Sequence, residues 1–188
     1  KDTYSDIFGK ELVRLAKKDV SICAITAAME HGTGLQYFSR AYPQRYYDVG
    51  IAEQHAVTFA AALASQGKLP VFAVYSSFLQ RAYDQLLHDV AIGKLHVVLG
   101  IDRAGVVGED GETHHGLFDV SFLTSIPGTT IYAPACYDEL TLCLRQAMYQ
   151  DTGLACVRYP RGADNTIFDK SASVSYTHLR AHETDQYL

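Results

Sequence analysis

The sequence predicts a three-layer α/β domain, a mostly parallel sheet with helices on both faces. Three observations carry this. Strand-like and helix-like segments alternate along the chain. Its strand-like segments, VFAVY at 71–75 and HVVLGI at 96–101 among them, are apolar without polar alternation. That is the pattern of strands covered on both sides. Gly and Pro fall between the segments, where turns are needed.

Each element has its own warrant. Residues 3–18, TYSDIFGKELVRLAKK, predict an amphipathic helix capped by Thr3 or Ser5, with Ile7, Phe8, Leu12 and Leu15 on its buried face. SICAIT at 21–26 is a short apolar strand. Gly32 and Gly34 break the chain before a short helix, LQYFSRAYP, that Pro43 ends. Residues 46–49 form the next strand, and an Ala-rich helix starts at Glu53, with Val57, Ala60, Ala61 and Ala64 on one face. Gly67 and Pro70 are expected to terminate it. After the strand at 71–75, Ser76 and Ser77 are placed to cap one continuous helix, FLQRAYDQLLHDVAIGK. The strand at 96–101 leads into a Gly-rich, acidic loop at 102–116. A short helix over 118–123, a strand over 130–133, a helix over 138–149 and a last strand over 154–159 complete the order.

Composition bounds the function. The chain has 188 residues, 48% hydrophobic and 20% charged, which suits one domain with a real core. Its formal net charge is −5 and it has no long basic run, which argues against a nucleic-acid or anionic-membrane surface. Cys23, Cys136, Cys143 and Cys156 form no CxxC pair, so reduced thiols in a cytosolic protein are expected, with neither a zinc site nor a disulfide framework. No apolar run approaches the ~18 residues of a membrane span, and no signal-peptide pattern is visible. The first residue is Lys1, so the chain is expected to begin inside a longer one or after processing.

In parallel sheets covered by helices, ligands bind at the carboxyl ends of the strands. The residues with chemistry to offer fall there by sequence order alone: Glu53 after one strand, Tyr75 to Phe78 after the next, Arg103 to His114 after the third, and Arg161 after the last. The plain alternatives are an acidic first helical turn for Glu53, core packing for Phe78, and for Arg81 a surface pair with Asp84 three residues on.

Three stretches, YYDVGIAEQHAV, VYSSFLQRAYDQLLHDVA and DRAGVVGEDGETHHG, resemble the pyrimidine-binding domain of the 1-deoxy-D-xylulose-5-phosphate synthase family, thiamine-diphosphate-dependent relatives of transketolase. The resemblance runs from about Tyr4 to Gly162. Ala27 stands where that family usually has proline, a change confined to a loop.

The resemblance implies a thiamine-diphosphate-binding fold of the pyrimidine-domain type over residues 1–165, a linker starting at 166–174, and a non-native or disordered tail at 175–188, whose His178 and His182 are set aside. It implies catalytic roles for Glu53 and His114. Glu53 would share a proton with the pyrimidine N1′ of the cofactor, and Phe78 would stack on that ring. His114 would either donate a hydrogen bond or shuttle a proton. Tyr75, Arg81, Arg103, Asp110 and Arg161 would line the substrate pocket, with Arg103 and Arg161 on the acceptor phosphate. His115 and Arg158 are read as structural, and His55, His88 and Asp89 as packing or interface residues.

Pyruvate and D-glyceraldehyde 3-phosphate are the substrates it implies, with loss of CO₂ and a product feeding isoprenoid, thiamine and pyridoxal synthesis. Mg²⁺ would be held by a domain outside this chain, the complete enzyme would be a cytoplasmic homodimer (or plastid-borne), and the fragment alone would be inactive. Transketolase, a 2-oxo-acid dehydrogenase β-subunit and a catalytically silent relative are the alternatives.

Overall fold

The computed structural model describes residues 1–164 and 178–180. Six parallel strands form the body of one sheet: β1 (Ile22–Thr26), β2 (Tyr46–Asp48), β3 (Leu69–Tyr75), β4 (Val97–Asp102), β5 (Thr130–Tyr132) and β6 (Leu154–Arg158). The strand order is β2-β1-β3-β4-β6-β5, and β7 (His178–Arg180) is added antiparallel to β5 at the edge. Thus part of the 175–188 segment lies as a strand in the sheet. The expected linker at 166–174 and the remaining tail residues lie outside the described residues.

Helices cover both faces, as the apolar strands require. On one face, α1 (Tyr4–Ala16), α2 (Gln36–Ala41) and α7 (Tyr137–Tyr149) pack on Ile22, Ala24, Val71, Ala73, Val98, Ala155 and Val157. On the other, α3 (Glu53–Ser65), the segment 76–91 and α6 (Asp119–Leu123) pack on Ile25, Phe72, Val74, Leu99, Ile101 and Cys156. Adjacent strand residues thus feed opposite layers, which is why the strands lack polar alternation.

Thr3 caps α1 in a capping box with Asp6: each side chain accepts the other's backbone N–H. Phe8 of α1 lies directly under Gly100 of β4, where a Cβ would overlap the ring. The helix can sit this close to the sheet only because that position is glycine.

Two local expectations are corrected. Pro70 belongs to β3, beside Cys23 of β1, and Gly67 in a left-handed conformation turns the chain after α3 without it. The continuous helix expected after β3 is four short pieces: α4 (Ser76–Leu79), a 3₁₀ turn at Gln80–Ala82, α5 (Tyr83–Gln85) and a π-type turn at Leu86–Ala91. Ser76 and Ser77 do not cap it, and their hydroxyls find no partner among the described residues. Such changes of winding shift side chains off the faces that a regular helix would give them.

Candidate active site at the strand ends

The parallel register gathers the carboxyl ends of the central strands. Thr26 sits beside Ala73, Tyr75 beside Asp102, and Ile101 beside Arg158. From β1 the chain goes to β2 on one side and then to β3 on the other, so a topological switch point lies between β1 and β3. The loop after β1 closes over it: Gly32 lies against the Tyr75 hydroxyl, leaving no room for a Cβ, and the Tyr75 N–H points to Met29 Sδ at 3.4 Å.

Glu53 opens α3 and is 2% exposed. Its Oε1 accepts a hydrogen bond from Arg81 Nη1 at 2.7 Å, while Oε2 takes no partner among the described residues. Arg81 belongs to the 3₁₀ turn, and its guanidinium lies 4.8 Å from the centre of the Phe78 ring. Arg81 therefore pairs with Glu53, and the simple surface pair with Asp84 is not formed. Phe78 is half-buried and stacks on Tyr75, with centroids 5.6 Å apart and planes at 21°. His114 meets both rings edge-on, at 5.3 Å from Phe78 and 6.3 Å from Tyr75.

Next to this aromatic group is a cluster of charge. Arg103 is nearly buried, and its guanidinium lies 4.1 Å over the Tyr75 ring. Its Nε lies 3.3 Å from Asp110 Oδ2, and its Nη1 bonds the Gly32 carbonyl and, at 3.0 Å, Asp102 Oδ1. Arg161 Nε lies 3.2 Å from the same Asp110 oxygen, and its Nη1 bonds Glu109. The two arginines expected to share one phosphate share one carboxylate here. Neither Nη2 has a partner among the described residues, so each guanidinium keeps donors for an incoming anion.

All the residues singled out from the sequence (Glu53, Tyr75, Phe78, Arg81, Arg103, Asp110, His114 and Arg161) thus fall in two adjoining groups. The residues set aside do other work. His115 Nδ1 accepts from the Val107 N–H, Arg158 forks onto buried Asp119 at 2.8 and 3.2 Å, and His55 stacks on Phe59. Asp89 accepts from Thr58 and contacts exposed His88.

Sequence reasoning missed Asp102. It is fully buried at the end of β4, and burial pushes its carboxyl up to about 6, against the opposing pull of Arg103. The available signal was an ionisable residue ending an apolar interior strand, directly before Arg103. Tyr75 is also pushed up, chiefly by burial, with Arg103 opposing.

Among the described residues no group of three or more His, Cys, Asp or Glu could hold a metal ion, and no helix is long and apolar enough to cross a membrane.

A buried helix-initiating carboxylate, an aromatic platform and two arginines that share a carboxylate thus lie together at the strand ends of a doubly covered parallel sheet. The family described as the transketolase pyrimidine-binding domain matches residues 1–165, and the chain belongs to it. More particularly, it is 58% identical over 164 residues to a 1-deoxy-D-xylulose-5-phosphate synthase of Clostridium kluyveri and 61% identical over 165 residues to that of Clostridium acetobutylicum. Those alignments cover 87% and 88% of this chain and 26% of each relative, so the chain spans about a quarter of their length. A solved split-gene transketolase, described as an inactive β4 tetramer, shares the fold with a TM-score of 0.77 at 24% identity, over 92% of this chain and 56% of its own.

Proposed function

We propose that this chain supplies the pyrimidine-binding part of a thiamine-diphosphate site in a 1-deoxy-D-xylulose-5-phosphate synthase. The complete enzyme would join pyruvate to D-glyceraldehyde 3-phosphate with loss of CO₂, making a precursor for isoprenoids, thiamine and pyridoxal. The observation that carries the reading is Glu53: a buried carboxylate at a strand-to-helix junction, held through one oxygen by Arg81, whose guanidinium in turn lies against the Phe78 ring. Close identity to synthases, against 24% to the split-gene transketolase, favours the synthase over its relatives.

The donor set fits the cofactor's pyrimidine. Glu53 Oε2, which lacks a partner among the described residues, is available to a protonated ring nitrogen. When bound, thiamine diphosphate supplies a nucleophilic carbon once its thiazolium C2 gives up a proton. Glu53 would hold a proton against the ring nitrogen N1′, which would favour loss of that C2 proton. Phe78 and Tyr75 offer aromatic surface that fixes the ring and excludes water.

His114 sits over that surface, where it can hydrogen-bond or move a proton at the reacting centre. Arg103 and Arg161 take the acceptor phosphate through their free donors. Asp110 and Arg81 face the rest of the substrate. Mg²⁺ and the diphosphate are assigned to another domain, and the working enzyme to a homodimer in the cytoplasm.

The test uses the full-length enzyme carrying this domain. CO₂ release from pyruvate is measured with and without D-glyceraldehyde 3-phosphate, for wild type and Glu53→Ala. Acceptor-dependent release that collapses in the variant supports the reading. Turnover of ketose donors instead would assign the domain to a transketolase, and absence of any thiamine-dependent turnover would make it catalytically silent.

A further inference from the structure

We propose that Asp102 is a positioning residue for Arg103, tethered to α1 through Ser5, and that this relay sets the guanidinium for capture of the acceptor's phosphate. The inference rests on the reading of Arg103 as a phosphate ligand.

Arg103 adopts an unfavourable backbone. Its φ is +58, in the left-handed region that a non-glycine residue adopts only at a steric cost. The turn moves the chain off β4 and brings the side chain back over Tyr75. Asp102 holds both ends of this residue with one oxygen: Oδ1 accepts from the Arg103 backbone N–H at 2.8 Å and from Nη1 at 3.0 Å. Its second oxygen, Oδ2, accepts from Ser5 Oγ at 2.6 Å. Ser5 in turn lies in the first turn of α1, fixed by the Thr3–Asp6 box and by Phe8 packed under Gly100. The relay therefore runs from a rigid helix through a buried carboxylate to an arginine whose Nη2 has no partner among the described residues.

The chemistry of the position argues for function over packing. A buried carboxylate is costly, and an amide of the same shape would serve a merely structural turn at less cost. Burial raises the proton affinity of Asp102, and its charge also raises that of the fully buried Tyr159 phenol. What the negative charge adds is orientation of a cation. With Nη1 held by Asp102 and Gly32, and the plane resting on Tyr75, rotation of the fork is restricted and Nη2 is presented ready-oriented. Pre-organised donors bind an anion without first losing side-chain freedom.

The experiment again uses the full-length enzyme carrying this domain. It compares kcat/KM for D-glyceraldehyde 3-phosphate with kcat/KM for unphosphorylated D-glyceraldehyde, in wild type, Asp102→Asn, Ser5→Ala and Arg103→Ala. The ratio of the two is the readout, because any loss of folded protein cancels in it. The ratio should fall about tenfold in Asp102→Asn, the size of one weakened charge-assisted contact, and further in Arg103→Ala. Ser5→Ala should lower it about twofold to threefold, by loosening one hydrogen bond.

A fall in Arg103→Ala with no change in Asp102→Asn overturns the positioning role and leaves the phosphate reading standing. No change in Arg103→Ala removes the phosphate reading and this inference with it. Should Asp102→Asn fail to fold, Ser5→Ala decides, and an unchanged ratio there overturns the relay.

Discussion

Arg81 Nη1 donates to Glu53 Oε1 across 2.7 Å, joining the first residue of α3 to a 3₁₀ turn 28 positions later. The pair is asymmetric. Glu53 is 2% exposed and the Arg81 side chain 48%. The cation reaches in from the surface, and the carboxylate depends on it. One carboxylate oxygen is thus engaged, and the other has no partner among the described residues.

Removing the cation should therefore cost more than an exposed pair would. Arg81→Met is expected to lower the unfolding free energy of the chain by about 1 kcal/mol in urea titrations. The figure takes the value of a hydrogen bond to a charged group and discounts it for the exposed half. In a double-mutant cycle with Glu53→Gln, most of this loss should reappear as coupling energy. Zero coupling would mean that the pair does not form in solution.

Phe78 is contacted by the Arg81 cation, by the stacked Tyr75 ring and, at a steep angle, by the His114 ring. In the full-length enzyme, Phe78→Ala should raise the thiamine diphosphate concentration needed for half-maximal activity about tenfold, the worth of one aromatic contact of ~1.5 kcal/mol. Titrating the cofactor into apoenzyme checks this. An unchanged midpoint would assign the ring to core packing.

Much of this arrangement was legible before any coordinates. Apolar strands alternating with helices require a covered parallel sheet, and that sheet puts Glu53, Tyr75, Arg103 and Arg161 at the carboxyl ends of its strands. What could not be read was set by long-range geometry. Nothing local shows that β6 inserts between β4 and β5, which brings Arg161 beside Arg103. Nothing local shows that Arg81 reaches Glu53, because the nearer Asp84 is an equally good partner by helical spacing. The breaks in 76–91 follow from tertiary packing, since the sequence there is compatible with one regular helix. Asp102 was visible as a residue, but its burial and its bond to Ser5, 97 positions away, were not.

The Asp110 carboxylate occupies the space between two guanidinium groups, with Arg103 Nε at 3.3 Å and Arg161 Nε at 3.2 Å from one oxygen. It thereby competes with any anion for them. Asp110→Asn should tighten the binding of inorganic phosphate to the chain, by about tenfold at low salt, because a charge is removed while the shape is kept. NMR titration with phosphate at two ionic strengths measures this, and added salt should shrink the gain. Weaker binding in the variant would show that Asp110 organises the arginines more than it blocks them.

Asp102 makes stability depend on pH in a direction opposite to that of most paired carboxylates. Its carboxyl is raised from 3.8 to about 6 in the folded chain, mainly by burial, with the facing Arg103 and Ser5 pulling the other way. Between those two values the folded state holds a proton that the unfolded state has lost. Stability from this group is therefore complete below about pH 4 and is lost as pH rises through about 6, by at most about 1.4 kcal/mol per pH unit. Asp102→Asn has no such proton to lose. The Tm of the wild-type chain relative to that of Asp102→Asn should fall as pH rises from about 4 to about 7, and then level off. Groups common to both proteins cancel in the difference, and the Tyr75 and Tyr159 phenols, which Asp102 also raises, stay protonated throughout, as Arg103 does. A difference that grows with pH would place the Asp102 carboxyl below its ordinary range. Arg103 would then outweigh burial, and the carboxylate would be a source of stability at neutral pH.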